Sequence, residues 1–408
     1  MKNLIINTNL FWQKYWIYFF YLLALTSAIS ISASTIILSL FLIFYLTNIK
    51  ENLKYIPRDF KLFFFLYLWK AITLILNKFF SSVIPRFFNG IWDKLGYITA
   101  SNLDIDAKKI EKFIKILIWV NTITVIYAIL QKYLGFPIIF KSLFTQDMLR
   151  FKGFHSHPLR FAGYFSTVCI IAFSFASFYS KKLFYFFPFL FFGLMLNASR
   201  TYWFSTIITF LIISFLKSKK FLITTFFSIF GFLLIFFSVF GNYRDRVEKT
   251  IESKNNISHI ESKNNISHME LRKNFWKAGL DIFSKNPIYG IGDGKVSNYL
   301  KPYLEKGLID NTAHSHNIYI TLVAETGIIG LGILLWILIY FIKKYYNEFM
   351  KSKDNFSKAF SISLFGSFIN IAISGLSEYN FATFVIWGFL SFYMGIYESY
   401  KKTINLKH

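Results

Sequence analysis

The chain has 408 residues, of which 55% are hydrophobic and only 16% charged, where an ordinary soluble domain carries about 25% charged residues. Its net charge of +24 would point to nucleic acid in a soluble protein. Here the lysines stand between long apolar runs, the pattern of a membrane protein's loops, and the single cysteine, Cys169, excludes an intrachain disulfide.

A bilayer core of roughly 30 Å takes about 20 mostly apolar residues in a helix. That length predicts twelve spans, over 13–30, 32–48, 62–77, 84–100, 112–134, 158–179, 183–198, 200–216, 221–240, 317–342, 359–376 and 381–398. The first run lacks a small-residue cleavage site and reads as a retained helix. The fourth is the weakest, because it holds Arg86, Asp93 and Lys94. The expected fold is therefore all-α and polytopic. Residues 1–240 carry nine helices, 241–316 form one large loop, and 317–408 carry three more helices and a tail.

The loop charges set the orientation. Lys50, Lys54, Arg58 and Lys61 fill one loop, and Lys108, Lys109 and Lys112 another. Lys181 and Lys182, then Lys217, Lys219 and Lys220, then Lys343, Lys344, Lys351, Lys353 and Lys358 fill three more. With twelve spans these five loops share a side with both termini. The positive-inside rule makes that side the cytoplasm, and the 241–316 loop then faces out, into the periplasm of a Gram-negative cell. This loop holds an identical tandem repeat, 251–259 and 260–268, read as a duplication in a tolerant loop. Its histidines, His259 and His268, are poor site candidates. An amphipathic helix is expected at 268–284, with Ser267 and Glu270 as a capping box and Arg272, Trp276, Gly279 and Phe283 on one stripe.

Four outward elements carry candidate chemistry: the Arg150 to Arg160 segment with its Gly-Phe-His-Ser-His-Pro core, the Asn197-Ala-Ser-Arg200 turn, Arg272, and His314-Ser-His316-Asn317. Arg200 sits between two apolar spans, where a charge is costly without a partner or a function. It also stands at a helix N-terminus, whose free N–H groups favour anions. Arginine grips phosphate through two parallel hydrogen bonds, so Arg200 and Arg272 are suited to a diphosphate without a metal. For Arg272 the plain alternative is an arginine reaching to the headgroups. His316, at the mouth of the tenth span, has the unperturbed pKa of a general base, about 6.5; its plain alternative is a helix-capping histidine. Gly327, Gly330 and Gly332 read as a close helix contact. Asp104-Ile-Asp106 has a metal-binding form, but it stands just before a helix, where aspartates cap. Gly290-Ile-Gly292-Asp-Gly294 lacks the βαβ surroundings of a nucleotide cradle.

The His316-Asn317-x9-Gly327-x-x-Gly330 pattern resembles the signature of the O-antigen ligase family, which includes O-antigen polymerases and some protein O-oligosaccharyltransferases. The Gly-Phe-His-Ser-His-Pro stretch, the Ala-Ser-Arg200 turn, Pro287-Ile-Tyr-Gly290-Ile-Gly292 and Glu378-Tyr-Asn380 are similar to its recurring segments. The resemblance implies metal-independent, cofactor-free glycan transfer in the inner membrane, with the site facing the periplasm. The donor would be a polysaccharide on undecaprenyl diphosphate and the acceptor a sugar of the lipid A core. It also implies that Arg200 and Arg272 hold the diphosphate and that His316 activates the acceptor hydroxyl, with looser matches for Arg150, Arg160 and His314. Two other readings stand beside the ligase. One is an O-antigen polymerase joining lipid-linked repeats. The other is a non-enzymatic transporter of lipid-linked glycan, for which inverted repeats and mid-membrane charges are expected; no such repeat is seen, and the charges gather at one interface.

Overall fold

A computed structural model describes residues 2–47, 55–137, 142–146, 149–245, 268–309, 315–381 and 383–405. The tandem repeat, apart from the helix-starting His268, lies outside them, as do Ser267 and His314. Among the described residues the regular secondary structure is helical, with turns and loops between, save one isolated bridge between Phe144 and Phe151. In chain order the helices are α1 (Lys2–Ile29), α2 (Ile31–Thr47), α3 (Phe60–Leu76), α4 (Phe80–Trp92), α5 (Leu95–Ser101) and α6 (Ala107–Tyr133). Then come α7 (Pro158–Phe178), α8 (Phe187–Leu196), α9 (Arg200–Lys217), α10 (Lys219–Val239) and α11 (His268–Lys285). The chain closes with α12 (Val296–Tyr299), α13 (Lys301–Glu305), α14 (Ile318–Lys351), α15 (Asn355–Ser374) and α16 (Phe384–Asn405).

Five of these, α6, α7, α10, α14 and α15, are long and apolar enough to cross a bilayer, and shorter apolar helices lie at 14–29, 31–47 and 187–196. Large side chains such as Phe227, Phe230 and Ile235 stay exposed along α10, as befits a surface facing lipid rather than water. The protein is a multi-pass membrane protein. Its centre is α7, almost wholly buried against α8, α9, α15 and α16. Small residues make that possible: a Cβ added at Gly163 would meet Ile386 Cδ1 at 2.2 Å and the Tyr202 hydroxyl at 2.8 Å. In this apolar interior polar groups must find one another. Asn370 on α15 accordingly donates to Ser166 of α7 at 2.9 Å and accepts from Ser205 of α9 at 2.6 Å.

Three expectations change. The fourth span is two helices, α4 and α5, meeting at Asp93 and Lys94. The Lys94 ammonium, fully buried, lies 2.5 Å from the Asp93 carboxylate and 4.6 Å from the Trp387 ring centroid. The charges do not all gather at one interface, since Lys70 pairs with Asp293 at 2.7 Å inside the bundle. Lys344, assigned to a loop, lies within α14 and pairs with Asp59 and, at 2.6 Å, Glu398. In each case a partner offsets the desolvation that would otherwise keep the charge out. Asp106, by contrast, caps α6 as expected, accepting from the Lys109 amide at 2.8 Å.

The break in α14 shapes the end of the bundle that carries the candidate residues. At Gly327 the backbone turns to φ 68° and ψ −171°, interrupting the helix. The 287–293 loop fills the gap: the Ile328 amide donates to the Pro287 carbonyl, and the Ile291 and Gly292 amides donate to the carbonyls of Ala324 and Glu325. A Cβ on Gly327 would lie 2.1 Å from the Ile288 carbonyl oxygen, and one on Gly290 2.4 Å from the Glu325 carbonyl carbon. Gly327 and Gly290 thus admit a loop, a Cβ on Gly330 would lie 3.3 Å from Trp69 of the helix α3, and nothing lies near Gly332.

Candidate functional site

Several helix ends near the candidate residues are tied by short polar links. Asn197, buried after α8, donates to the carbonyls of Phe151 (2.5 Å) and Pro158 (2.9 Å). This fastens the 150–158 segment to the turn that starts α9. Arg150 Nε donates to the Asn197 carbonyl at 3.2 Å. Arg200 is the first residue of α9, and the hydroxyls of its neighbour Thr201 and of Ser377 lie 2.8 Å apart. The turn after α15 is thereby held beside the turn before α9.

The His316 segment docks on that same turn. The Asn317 side chain caps α14 by accepting from the amides of Tyr319 and Ile320, and its amide group donates to the Leu376 carbonyl at 2.8 Å. The Ile318 amide donates to the Gly375 carbonyl. Capping thus falls to Asn317. His316, one residue earlier, takes a left-handed φ of 51°, which turns it away from the helix axis, and its ring meets Phe275 of α11 edge-on at 5.4 Å.

Helix α11 carries Arg272. It buries Phe275, Ala278 and Ile282, one position off the expected stripe, and seats Gly279 where a Cβ would meet Ile320 at 2.5 Å and Ser315 at 3.0 Å. Arg272 therefore lies at the margin of the buried face, and Nη2 donates to Glu378 Oε1 at 3.0 Å. Glu378 is 5% exposed. Burial pushes its carboxyl above the usual range, while Arg272 and, behind it, Arg150 pull it back.

These parts enclose a cavity of about 610 Å³. Its lining combines polar His157, Arg160, Tyr202, His316, Glu378, Asn380 and Thr383 with apolar Ile31, Leu159, Phe384, Val385 and Ile386. A shallow apolar groove along Leu23, Leu38 and Phe389 shares Ile31, Phe384 and Val385 with it. His157 caps α7; burial, then Arg150 and Arg160, lower its pKa below 6.5. The neighbouring His155 is instead a core residue, stacked on Tyr164 at 5.6 Å.

Residues 184–337 match the family model described as O-Antigen ligase. Over that stretch the chain is similar to the O-antigen ligase family. No curated protein matches it. The matched stretch contains Arg200, Arg272 and His316, whereas Arg150, Arg160 and Glu378 lie outside it. In this chain His316 and Arg160 line the cavity, Arg272 reaches it through Glu378, and Arg150 is tethered to the Asn197 carbonyl. Arg200 enters the assembly through its neighbour Thr201. Sequence reasoning passed over Glu378, Tyr202 and His157 as site residues. Glu378 had a readable signal, being the only charged residue between α15 and α16, where an acid beside apolar helices needs a partner. Among the described residues no three His, Cys, Asp or Glu side chains gather as a metal site.

Proposed function

We propose that this protein is an O-antigen ligase that moves a polysaccharide from undecaprenyl diphosphate to a sugar hydroxyl of a lipid A core, at the outer face of a bacterial inner membrane. The match to the O-antigen ligase family model over residues 184–337 supports glycan transfer of the ligase and polymerase kind. The observation that carries the finer reading is the mixed lining of the cavity, where His316 and Glu378, the partner of Arg272, stand together with hydrocarbon side chains. A lipid-linked glycan has the same mixture: its prenyl chain calls for the apolar side chains and its diphosphate for the arginines.

In the reaction the acceptor oxygen attacks the anomeric carbon as the bond from that carbon to the diphosphate oxygen breaks. The hydroxyl proton passes to His316. The electron pair leaves with the diphosphate, where Arg272 and Arg200 stabilise the charge that develops. Displacement from the opposite face inverts the anomeric centre. No step calls for a metal or cofactor.

Complementation tests the assignment. The gene should restore O-antigen attachment in a strain lacking its ligase. Restoration of chain length in a polymerase-deficient strain, without attachment, would make the protein a polymerase. Arg272→Ala should cost about 10²–10³ in rate, as for loss of one oxyanion donor, and His316→Ala about 10²–10⁴, as for loss of a general base. Membrane levels should be unchanged, and full activity in either variant removes that residue from the mechanism.

A further inference from the structure

Glu378 is a carboxylate in a place that calls for cations. Arginines from separate elements converge on the turn that holds it. Arg272 reaches it from α11 at 3.0 Å. Arg150, tethered to the Asn197 carbonyl, acts on it electrostatically. The preceding Ser377 hydroxyl lies 2.8 Å from that of Thr201, the residue after Arg200. The carboxylate is almost fully buried yet forms part of the cavity wall beside His316. An anion entering here must share Arg272 with Glu378 or displace it.

We propose that Glu378 is a built-in counter-anion: a positioning residue that holds Arg272 in register while the site is empty and competes with the diphosphate, so that the spent carrier is released. The inference rests on the reading that this site takes a diphosphate. Its logic is that of differential binding. Cations that hold donor, transition state and product equally tightly lower KM without raising kcat. A carboxylate that recaptures Arg272 weakens the hold on every bound diphosphate, the spent carrier included, and so speeds its release. An arginine offers five N–H donors, so Glu378 occupies one edge of Arg272 and leaves the rest for phosphate.

The test measures binding of farnesyl diphosphate, a short prenyl diphosphate, to the full-length protein in nanodiscs, alongside turnover. Wild type should bind it, and Arg272→Ala should weaken binding. Glu378→Gln, which keeps the shape and removes the charge, should bind about ten-fold tighter, a change of about 1.4 kcal/mol, with KM and kcat both lowered. A residue that merely props the fold would instead lower kcat and weaken binding together. Unchanged or weaker binding by a Glu378→Gln protein with wild-type melting overturns the counter-anion and leaves the diphosphate site standing. Failure of wild type to bind, with no effect of Arg272→Ala, overturns the diphosphate reading itself. Should the glutamine variant not fold, Glu378→Asp, which draws the charge back by one methylene, should bind about three-fold tighter on the same scale; no shift there overturns the proposal equally.

Discussion

His157 caps α7 through Nδ1, which accepts from the Leu159 amide at 3.2 Å, and this requires that nitrogen to be unprotonated. Burial and the two nearby arginines favour the same neutral form. Because the folded pKa lies below the unfolded value of 6.5, the unfolded chain takes up this proton first as the pH falls. Stability contributed by the neutral imidazole is complete above 6.5 and is lost as the pH drops through that value toward the folded pKa. His157→Asn keeps a capping oxygen without the titration. Melting of the two proteins in detergent should therefore converge at acid pH, with wild type losing more between pH 7.5 and 5.5; parallel curves would remove His157 as the source. The candidate side chains were largely legible in the sequence. Arg200, Arg272 and His316 stand out because polar residues beside apolar spans need a reason. Glu378 was readable on the same ground, but its pairing with Arg272 was not, since 106 residues separate them and no local pattern encodes such a contact.

At the scale of elements, the break at Gly327 does the joining. Gly327→Ala places a Cβ 2.1 Å from a backbone oxygen at a positive φ, and neither the oxygen nor the φ can give way without moving the 287–293 loop. Strain of this kind costs about 1–3 kcal/mol. The variant should melt lower by a corresponding amount, lose transfer activity and show faster proteolysis near residue 290. Gly332→Ala, with open space around it, should match wild type, and equal melting of the two variants would refute the assignment. The sequence marks these glycines as a contact but not what fills it. A glycine tells that something comes close; whether a helix or a loop does so depends on the partner chain segment. The helix-period signal was truer for α11, yet one residue out of phase, because Arg272 can lie beside the buried stripe with its guanidinium carried to Glu378.

At the scale of the molecule, hydrocarbon runs specify helices and their order, and loop lysines give an orientation, but neither reveals ion pairs between helices. Lys70 with Asp293 and Lys344 with Glu398 are such pairs, and Lys94 with its chain neighbour Asp93, at the α4–α5 junction, is also buried. Lys94→Met alone should cost about 3–5 kcal/mol, the penalty of an orphaned buried charge. The double variant Lys94→Met with Asp93→Leu should recover most of the loss. Melting temperatures of the single and double variants decide it, and strictly additive losses would show that the pair is not coupled. The docking of α11 has a different kind of consequence. That helix is anchored by chain segments on its C-terminal side: Gly279 rests on Ser315 and Ile320, and the 287–293 loop sits in the α14 break. The position of Arg272 is thus counted backward from Gly327 and not forward from the end of α10. Copies of the nine-residue repeat can be gained or lost upstream while the guanidinium keeps its address, which gives this stretch of the gene licence to drift in length beside a site that cannot move.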